Sequence, residues 1–417
     1  MQRFAYDVIV IGGGIIGTST ARELLKRNPA LRLALVEKEG SIGFHQSGHN
    51  SGVIHSGIYY TPGSLKAKLC VEGLELAYKY CDEKNIPYKK CGKLIVAVKE
   101  NELERLDALY KRAIENGVRD ISLINREEIL KMEPNISGLK AIWSPNTGIV
   151  DWGQVTKSFA EDCKERGADI YLDFPVTGFQ TISESSRGSI VVNGKTTFQS
   201  MLCKYVVTCG GLHSDKLAML TGCSPLPKII PFRGDYLVLK PEKTHMVKTN
   251  IYPVPYPNLP FLGVHITPRI DGSVWLGPNA ILATHQEGYQ GTGVKIREVL
   301  GYIEYSGLQK LAQKHLGYGL REIYRGISIS AQVQALRQYM PSLTIAWVER
   351  GPSGVRAQAL DADGNLVDDF IFDSGVGEFK GKILHVRNAP SPAATSSLAI
   401  ARMIVDKLKE QFNIKEL

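Results

Sequence analysis

The stretch YDVIVIGGGIIG, residues 6–17, decides the fold of this chain. Its apolar first half is typical of a buried strand, and its glycines lead into a helix-compatible segment that ends at Asn28-Pro29. A second apolar run, residues 31–36, ends on Glu37. Strand, glycine turn, helix, second strand and acid follow the order of a dinucleotide-binding β-α-β unit, which is far more specific than a lone GxGxxG.

Each part of this unit has a physical purpose. Gly12 permits the tight turn out of the strand, Gly14 lets the backbone approach a pyrophosphate, and Gly17 lets the helix pack against the sheet. The helix N-terminus offers unpaired N–H groups to the phosphates. Glu37 can accept hydrogen bonds from ribose hydroxyls and would repel a 2′-phosphate, so NADP is disfavoured. The motif alone does not separate FAD from NAD.

The composition is that of a globular protein with about two domains. The chain has 417 residues, of which 43% are hydrophobic, and no apolar run approaches the roughly 18 residues that a membrane span requires. We interpret the net charge of +8 as a solvated basic surface rather than as an attraction to anionic substrates or membranes. Lysine and arginine do not cluster with aromatic residues, so nucleic acid is not expected as a partner.

The ends of the sequence and its cysteines bear on the compartment. The first residues, 1–5, lead directly into the first strand, which predicts that no signal or transit peptide is present. The seven cysteines form no CxxC pair and no metal-ligand spacing. We therefore expect reduced, mostly buried thiols in an intracellular compartment, and no metal site.

The remaining patterns predict a discontinuous α/β protein. Helical periodicity covers residues 65–84, 100–116, 294–314, 320–339 and 394–408, and Asp151 is a good N-cap for a further helix. Strand patterns cover residues 93–98, 176–181, 189–192, 205–209 and 383–386, and hairpins are predicted over 261–277 and 356–372. The predicted architecture is a Rossmann-like nucleotide-binding domain, 1–90 plus 150–225 plus 350–417, with an inserted antiparallel β-sheet cap domain for the substrate, 91–149 plus 226–349.

The loop HQSGHNSGVIHSGIYY, residues 45–60, is the second informative segment. It carries three histidines, several small polar residues and three glycines shortly after Glu37. A surface loop can hold such residues without a function, but this density of hydrogen-bonding groups near a pyrophosphate site favours contacts to cofactor or substrate.

The chain resembles the D-amino-acid-oxidase type of FAD enzyme, and within it the L-2-hydroxyglutarate dehydrogenase family. The resemblance covers nearly the whole chain. It rests on the nucleotide fingerprint, on the histidine loop with its SGVIHSGIYY stretch (51–60), and on five further stretches: PFRGDY (231–236), FLGVHITPR (261–269), LGPN (276–279), GPSGVRAQALD (351–361) and HVRNAPSPAA (385–394). The glycine-rich C-terminal flavin loop of the wider oxidase group is replaced by NAPSP, residues 388–392, which argues against a generic amine oxidase.

This resemblance implies an FAD-dependent oxidation of L-2-hydroxyglutarate to 2-oxoglutarate, with hydride passing from C2 to flavin N5. The alternatives are an FAD oxidase or dehydrogenase for an amine or for glycerol 3-phosphate, and a flavin-binding protein without turnover. The family also implies mitochondria, a small dicarboxylate substrate, and a quinone or a carrier protein rather than oxygen as electron acceptor. Peripheral membrane association is compatible with such an acceptor, and the oligomeric state stays open.

The reaction requires a base and a carboxylate clamp. Histidine suits the base because its pKa lies near physiological pH, and we expect His55 to serve, with His265 as the rival. The planar guanidinium of arginine matches a carboxylate, so Arg356 is the first candidate for the clamp and Arg233 the second. Hydroxyl donors are expected from Tyr59, Tyr236 and Thr267.

The expected FAD contacts follow from the matching motifs, and no covalent histidine–flavin bond is expected. Gly12, Gly14 and Gly17 would take the pyrophosphate and Glu37 the ribose, while the backbone of Val176 would face adenine. The other expected contacts are Lys38, Ser47, Asn50, Ser51, Gly210, Gly211, Asn388, Ala389, Pro390, Ser391 and Ala393. Those in residues 389–393 would bring helix N–H groups to the flavin pyrimidine oxygen.

Overall fold

A computed structural model describes residues 5–182, 189–196, 199–256, 262–289 and 293–412. The strands in these residues are β1 Ala5–Ile11, β2 Leu33–Val36, β3 Val53–Ile54, β4 Tyr88–Lys89, β5 Lys93–Ala97, β6 Ser122–Asn125, β7 Lys140–Ser144, β8 Gly148–Val150, β9 Asp169–Tyr171, β10 Gly178–Thr181, β11 Ile190–Asn193, β12 Ser200–Thr208, β13 Lys228–Leu239, β14 Asn250–Pro253, β15 His265–Pro268, β16 Val274–Gly277, β17 Ile281–Leu282, β18 Val348–Leu360, β19 Ile371–Ser374 and β20 Ile383–Asn388.

The α-helices are α1 Ile15–Arg27, α2 Leu65–Glu83, α3 Leu103–Glu115, α4 Arg126–Met132, α5 Trp152–Glu165, α6 Ser214–Met219, α7 Ile296–Ile303, α8 Ser306–Lys314, α9 Leu316–Ile327, α10 Ile329–Leu336 and α11 Ser397–Phe412. In the described part of the chain, none of them combines the length and the apolar character needed to cross a bilayer.

The first sheet is the predicted nucleotide-binding sheet. Strands β20, β12, β1, β2 and β9 lie parallel in that order, with β19 antiparallel on β20 and the pair β10–β11 antiparallel on the start of β12. Val8 and Val10 pack under α1 and α11, whereas Ile9 and Ile11 face a second cluster that includes Phe179. Burial on both faces explains why the strand sequence is continuously apolar.

The second sheet has nine strands, in the order β17-β13-β16-β15-β14-β5-β7-β6 with β18 on β13. Its pairs are antiparallel except for β14–β5, which are parallel. Its core face packs against α10. A small third sheet, β3-β8-β4, joins the histidine loop to the body of the protein. The predicted fold class, a Rossmann-like domain with an inserted β-sheet cap, is confirmed.

Several helices of the structure begin or end at other residues than the sequence predicts. The helix predicted over 294–314 is two helices, α7 and α8, and the one predicted over 320–339 is α9 and α10. Ser328 separates the latter pair, because its Oγ accepts the N–H of Ala331 and begins a new helix. The last helix begins at Ser397 rather than at residue 394. As predicted, Asp151 caps α5 by accepting the N–H groups of Gly153 and Gln154.

The hairpin predicted over 356–372 is wrong. Strand β18 pairs along most of its length with β13, and β19 pairs with β20 of the other sheet, leaving one bridge between Leu360 and Leu366. Long-range partners for both strands outcompete the local turn. Strand β18 of the second sheet also crosses the predicted domain boundary at 349/350, and the division into domains stays a prediction. The hairpin over 261–277 is confirmed as β15–β16, with residue 261 outside the described residues.

Candidate active site

The β1–α1 turn forms a cradle that side chains would fill. A Cβ at Gly12 would lie 2.3 Å from the carbonyl oxygen of Cys209, and one at Gly17 would lie 1.9 Å from that of Gly12. Gly12 also has φ +110°, a conformation that favours glycine. At Gly14 the nearest atom to a Cβ would be Ser47 Oγ at 3.4 Å, so this glycine faces comparatively open space. The geometry fits a pyrophosphate held on the α1 N-terminus.

Glu37 lies at the end of β2 beside this cradle. Its Oε2 accepts the N–H of Gly13 at 2.6 Å, and its Oε1 accepts the N–H of Glu39 at 3.0 Å. Each oxygen keeps a lone pair for a ribose hydroxyl. Val176 lies close by, because Phe174 N–H bonds to Glu37 O and Thr177 N–H bonds to Asn193 O on either side of it.

The histidine loop packs onto the start of α1 and is braced internally. Ser47 Oγ accepts the N–H of Ile15 at 2.9 Å, which ties the loop to the first turn of the helix. The Asn50 amide donates to the carbonyls of Gln46 and Ser47, and its Oδ1 accepts the N–H of Gly52. Asn50 therefore shapes the loop. Gly210 and Gly211 follow β12 beside it, where a Cβ on Gly211 would lie 3.2 Å from Gln46 Oε1.

Lys38 enters an ion cluster that links the two sheets. Its Nζ lies 2.6 Å from Glu287, contacts Glu39, and is 2.9 Å from His45 Nε2. His213 Nε2 lies 2.8 Å from the same Glu287 carboxylate. Hydrogen bonds from His213 and Lys38 lower the pKa of Glu287, and hydrogen bonds from Lys38 and His45 lower that of Glu39 despite partial burial. Lys38 supplies positive charge to these carboxylates, so the arrangement is an ion-pair network.

The predicted C-terminal residues form the loop between β20 and α11. Asn388 donates to the carbonyls of Val367 and Asp369. Ala389 and Ala393 pack against the core of the first sheet, and Ala393 N–H bonds to Pro390 O. Because α11 begins only at Ser397, residues 389–393 precede the helix and are not its first N–H groups, contrary to the expectation.

His55 follows β3 at the meeting of the two sheets. Its N–H donates to Thr395 Oγ1 at 3.0 Å, and its Nδ1 lies 3.3 Å from Lys93 Nζ. Burial lowers the pKa of His55 well below its usual value, and electrostatic interactions with Lys93, His265 and Arg356 lower it further. His55 is thus neutral.

His265 lies on β15 and stacks on Tyr252, with ring centroids 4.3 Å apart. Its Nδ1 lies 3.2 Å from the carbonyl oxygen of Gly263, which can only accept, so Nδ1 carries the hydrogen. Its Nε2 is buried and has no hydrogen-bond partner among the described residues. Burial lowers the pKa of His265 to about 3. The His265 ring is therefore neutral, and its Nε2 lone pair is available as an acceptor.

The two candidate arginines are not brought together. Arg356 on β18 is in register with Phe232, and Arg233 on β13 is in register with Val355. Because side chains alternate along a strand, the two guanidiniums point to opposite faces. Arg233 is held by Asp235, with Nε–Oδ1 at 2.7 Å and Nη2–Oδ2 at 3.1 Å.

The predicted hydroxyl donors lie around the same site. Tyr236 is buried with its ring 6.4 Å from that of His265, and Arg356 is near enough to lower its pKa against the rise that burial causes. Thr267 Oγ1 is buried without a partner among the described residues. Tyr59 donates to Pro253 O at 3.4 Å, and Ser51 lies beside Tyr252.

Three residues of the site were not predicted. Lys93 on β5 is 1% exposed, and Thr395 holds the His55 loop. Arg269 stacks on Trp275 at 4.3 Å and donates to Asn50 O at 2.8 Å, which joins the second sheet to the loop. The sequence signal for Lys93 is weak, because it is the first residue of the predicted strand 93–98, directly before the apolar run.

This constellation of a nucleotide cradle under a β-sheet cap with neutral histidines between them defines a dinucleotide-dependent oxidoreductase. A family model described as FAD dependent oxidoreductase matches residues 7–407. The chain belongs to that family, and its cofactor is FAD.

Two named relatives are similar to this chain over nearly its whole length. The chain is 57% identical to the mitochondrial L-2-hydroxyglutarate dehydrogenase of Nematostella vectensis, over 98% of this chain and 91% of that protein. It is 53% identical to the human protein of that name, over 98% and 90%. Among solved structures, the L-alpha-glycerophosphate oxidase of Mycoplasma pneumoniae with FAD bound has a TM-score of 0.78 at 24% identity, covering 98% of this chain and 95% of that one. The last similarity concerns the fold.

Proposed function

We propose that this protein oxidises L-2-hydroxyglutarate to 2-oxoglutarate. The observation that carries the proposal is the charge of the site: His55 lies within electrostatic reach of Lys93, His265 and Arg356. No carboxylate in the described part of the chain shifts the pKa of His55, Lys93 or His265. A buried site that combines the Arg356 guanidinium, a lysine and two neutral histidines, with no acid acting on them, suits an anionic substrate such as a dicarboxylate. The names of relatives at 53–57% identity support this choice.

Arg356 is the proposed ligand of a substrate carboxylate. It lies near enough to Tyr236 to lower the pKa of that residue against the rise that burial causes, and it also lowers the pKa of both histidines. A guanidinium binds a carboxylate through two parallel hydrogen bonds. Tyr59, Tyr236 and Thr267 supply hydroxyls to the same space. Arg233 is the second candidate, and Asp235 holds its guanidinium.

The proposed general base is His55, which takes the hydroxyl proton of the substrate. It is neutral and partly exposed, and its backbone is tied to Thr395 of the loop between β20 and α11. Bound FAD supplies the acceptor for the hydride that leaves C2. His265 remains the alternative base, since its Nε2 has a lone pair and no partner in the described residues.

The residues proposed to hold FAD are those of the cradle and its surroundings. Gly12, Gly14 and Gly17 admit the pyrophosphate, Glu37 accepts ribose hydroxyls, and Val176 faces adenine. The remaining proposed contacts are Lys38, Ser47, Asn50, Ser51, Gly210, Gly211, Asn388, Ala389, Pro390, Ser391 and Ala393. We expect the cofactor to be bound without a covalent link to histidine.

Anaerobic mixing of the yellow holoenzyme with each enantiomer of 2-hydroxyglutarate tests the proposal. Prompt bleaching of the flavin by the L enantiomer, with 2-oxoglutarate as product, supports it. If only an amine or glycerol 3-phosphate bleaches the flavin, that compound rather than L-2-hydroxyglutarate is the substrate. A flavin that no candidate bleaches would favour a non-catalytic flavin-binding protein.

The electron acceptor is proposed to be a membrane quinone or a carrier protein. The location is proposed to be mitochondrial, because the names of the relatives include that word.

The exposed surface of helices α7 and α9 supports membrane association. These helices leave apolar side chains exposed, among them Ile296 (69%), Leu320 (59%) and Ile327 (72%). The charged side chains exposed in residues 293–327 are Lys295, Arg297, Glu304, Lys310, Lys314 and Arg321. Apolar faces edged mainly by basic residues suit an anionic lipid surface.

Flotation of the holoenzyme with vesicles tests this surface. We expect it to float with vesicles that contain anionic phospholipid and to stay behind with purely zwitterionic ones. Ile323→Glu in α9 should abolish flotation, whereas Ile114→Glu, at an equally exposed isoleucine of α3, should not. Equal behaviour of the two variants would remove this surface from the proposal.

A further inference from the structure

Lys93 is an unusual residue for the position that it occupies. It stands on β5, in register with Asn250 of the neighbouring strand, and it is 1% exposed. Among the described residues, its Nζ has one hydrogen-bond partner, His55 Nδ1, at 3.3 Å. The ring centroids of Tyr252 and Tyr59 lie 4.2 and 5.6 Å away. Lys93 is more deeply buried than His55 and contacts the Nδ1 side of its ring.

A carboxylate usually stands behind a histidine base and accepts its second N–H. A lysine in that position has two states with opposite effects. An ammonium can only donate, so it bonds to a bare Nδ1 and leaves the hydrogen on Nε2. A neutral amine can accept from Nδ1–H, which leaves the Nε2 lone pair free to take a proton.

We propose that Lys93 is a positioning residue that selects the tautomer of His55, so that His55 is a base only while Lys93 is a neutral amine. The inference rests on the proposed function, because it assumes that His55 takes the substrate's hydroxyl proton. In the step, the O–H bond of the substrate breaks and an Nε2–H bond forms, while the C2 hydride leaves to the family's flavin. The Nδ1 proton of the resulting imidazolium can then pass to the Lys93 amine.

The surroundings of Lys93 allow this switch. Burial lowers the pKa of Lys93 to about 7, and the nearby thiols of Cys70 and Cys91 oppose the shift weakly. The neutral state is therefore accessible at physiological pH. The titratable and charged groups that face the Lys93–His55 pair are Tyr59 from the His55 loop, Cys70 from α2, Cys91 before β5, Tyr252 from β14, His265 from β15 and Arg356 from β18.

The decisive experiment compares Lys93→Arg with Lys93→Met in the holoenzyme. Arginine keeps the charge and can only donate, so we expect kcat to fall by about 100-fold at every pH. Methionine has no charge, and we expect a loss of at most about 10-fold. Wild-type kcat/KM should rise with pH around 7, and this limb should disappear in Lys93→Met. If Lys93 instead bound a substrate carboxylate, Arg would be tolerated and Met would raise KM, which would overturn the inference.

A second measurement needs no substrate and separates the two proposals. In holoenzyme labelled with ¹⁵N-histidine, the His55 signals are assigned by their loss in His55→Gln. We expect Nδ1 to change from the protonated to the unprotonated type as pH falls through about 7, and to lose this change in Lys93→Met. An Nδ1 that keeps one state from pH 6 to 8 in the wild type contradicts the inference. An absence of flavin bleaching by L-2-hydroxyglutarate contradicts only the proposed function.

Discussion

The side chain of Thr395 accepts a hydrogen bond from the backbone N–H of His55 at 3.0 Å, across 340 residues of sequence. The same hydroxyl lies 3.4 Å from the carbonyl of Val53. The segment before α11 therefore holds the loop that carries the candidate base. Thr395 is 2% exposed, so water cannot replace it readily.

Thr395→Val should disturb this loop without removing volume. We expect a loss of about 1 kcal/mol in stability, as for one buried hydrogen bond, and a several-fold lower rate of flavin reduction. Thr395→Ser keeps the hydroxyl and is the matched control. Equal reduction rates in the Val and Ser variants would show that the bond does not position His55.

Replacing each histidine by alanine distinguishes the two candidate bases. We expect His55→Ala to slow flavin reduction by roughly 10²- to 10⁴-fold, because general base catalysis is lost, with FAD still bound. His265→Ala should have the smaller effect. Stopped-flow spectroscopy of the flavin measures both, and a reversed order would assign the base to His265.

Loss of the Arg356 guanidinium should weaken productive binding of the substrate. We expect Arg356→Ala to lower kcat/KM by about 10- to 100-fold or more, as for a charged hydrogen bond. Arg350→Ala, on the same strand with its guanidinium on the carbonyls of Gly326 and Ile327, is the control and should be near normal. Near-normal kinetics of Arg356→Ala would remove it from the site.

A methyl group at Gly17 should prevent the close approach of α1 to the turn. Its Cβ would lie 1.9 Å from the Gly12 carbonyl oxygen, and backbone cannot yield as a side chain does. We expect Gly17→Ala to bind FAD on the order of 10²-fold more weakly, which is about 2.7 kcal/mol, and to purify nearly colourless. Gly301→Ala in α7 meets nothing within 4 Å and should stay yellow. A yellow Gly17→Ala protein would contradict the cradle.

His385 predicts acid sensitivity of the first sheet. It is buried between Thr208 and Thr221, each at 2.8 Å, and burial lowers its pKa from 6.5 to about 4. Below pH 6.5 the unfolded chain binds a proton that the folded chain refuses, so stability falls as pH drops towards 4, by up to about 3 kcal/mol. The melting temperature should therefore fall less between pH 7 and 5 in His385→Gln. The exposed His245→Gln is the control, and equal slopes in all three proteins would disprove the assignment.

Much of the fold could be predicted from local patterns. The β1–α1–β2 unit, the Asp151 cap and the β15–β16 hairpin all depend on residues close in sequence, where backbone sterics and periodicity suffice. The 356–372 hairpin failed because β18 and β19 found partners in different sheets. The start of α11 was misplaced because residues 389–396 are held by tertiary contacts, among them Thr395 with His55.

By itself, the sequence determined the nucleotide cradle and the family, because glycines at fixed spacing and an acid after the second strand leave the backbone few alternatives. Only the tertiary structure decided which charges meet. Lys93, His265 and Arg356 stand on three strands that are far apart in the chain, and their convergence on His55 depends on the pairing of the second sheet. The strand register points Arg233 and Arg356 to opposite faces and brings Lys93 into contact with His55. Both arrangements depend on long-range strand register, which no local sequence pattern encodes.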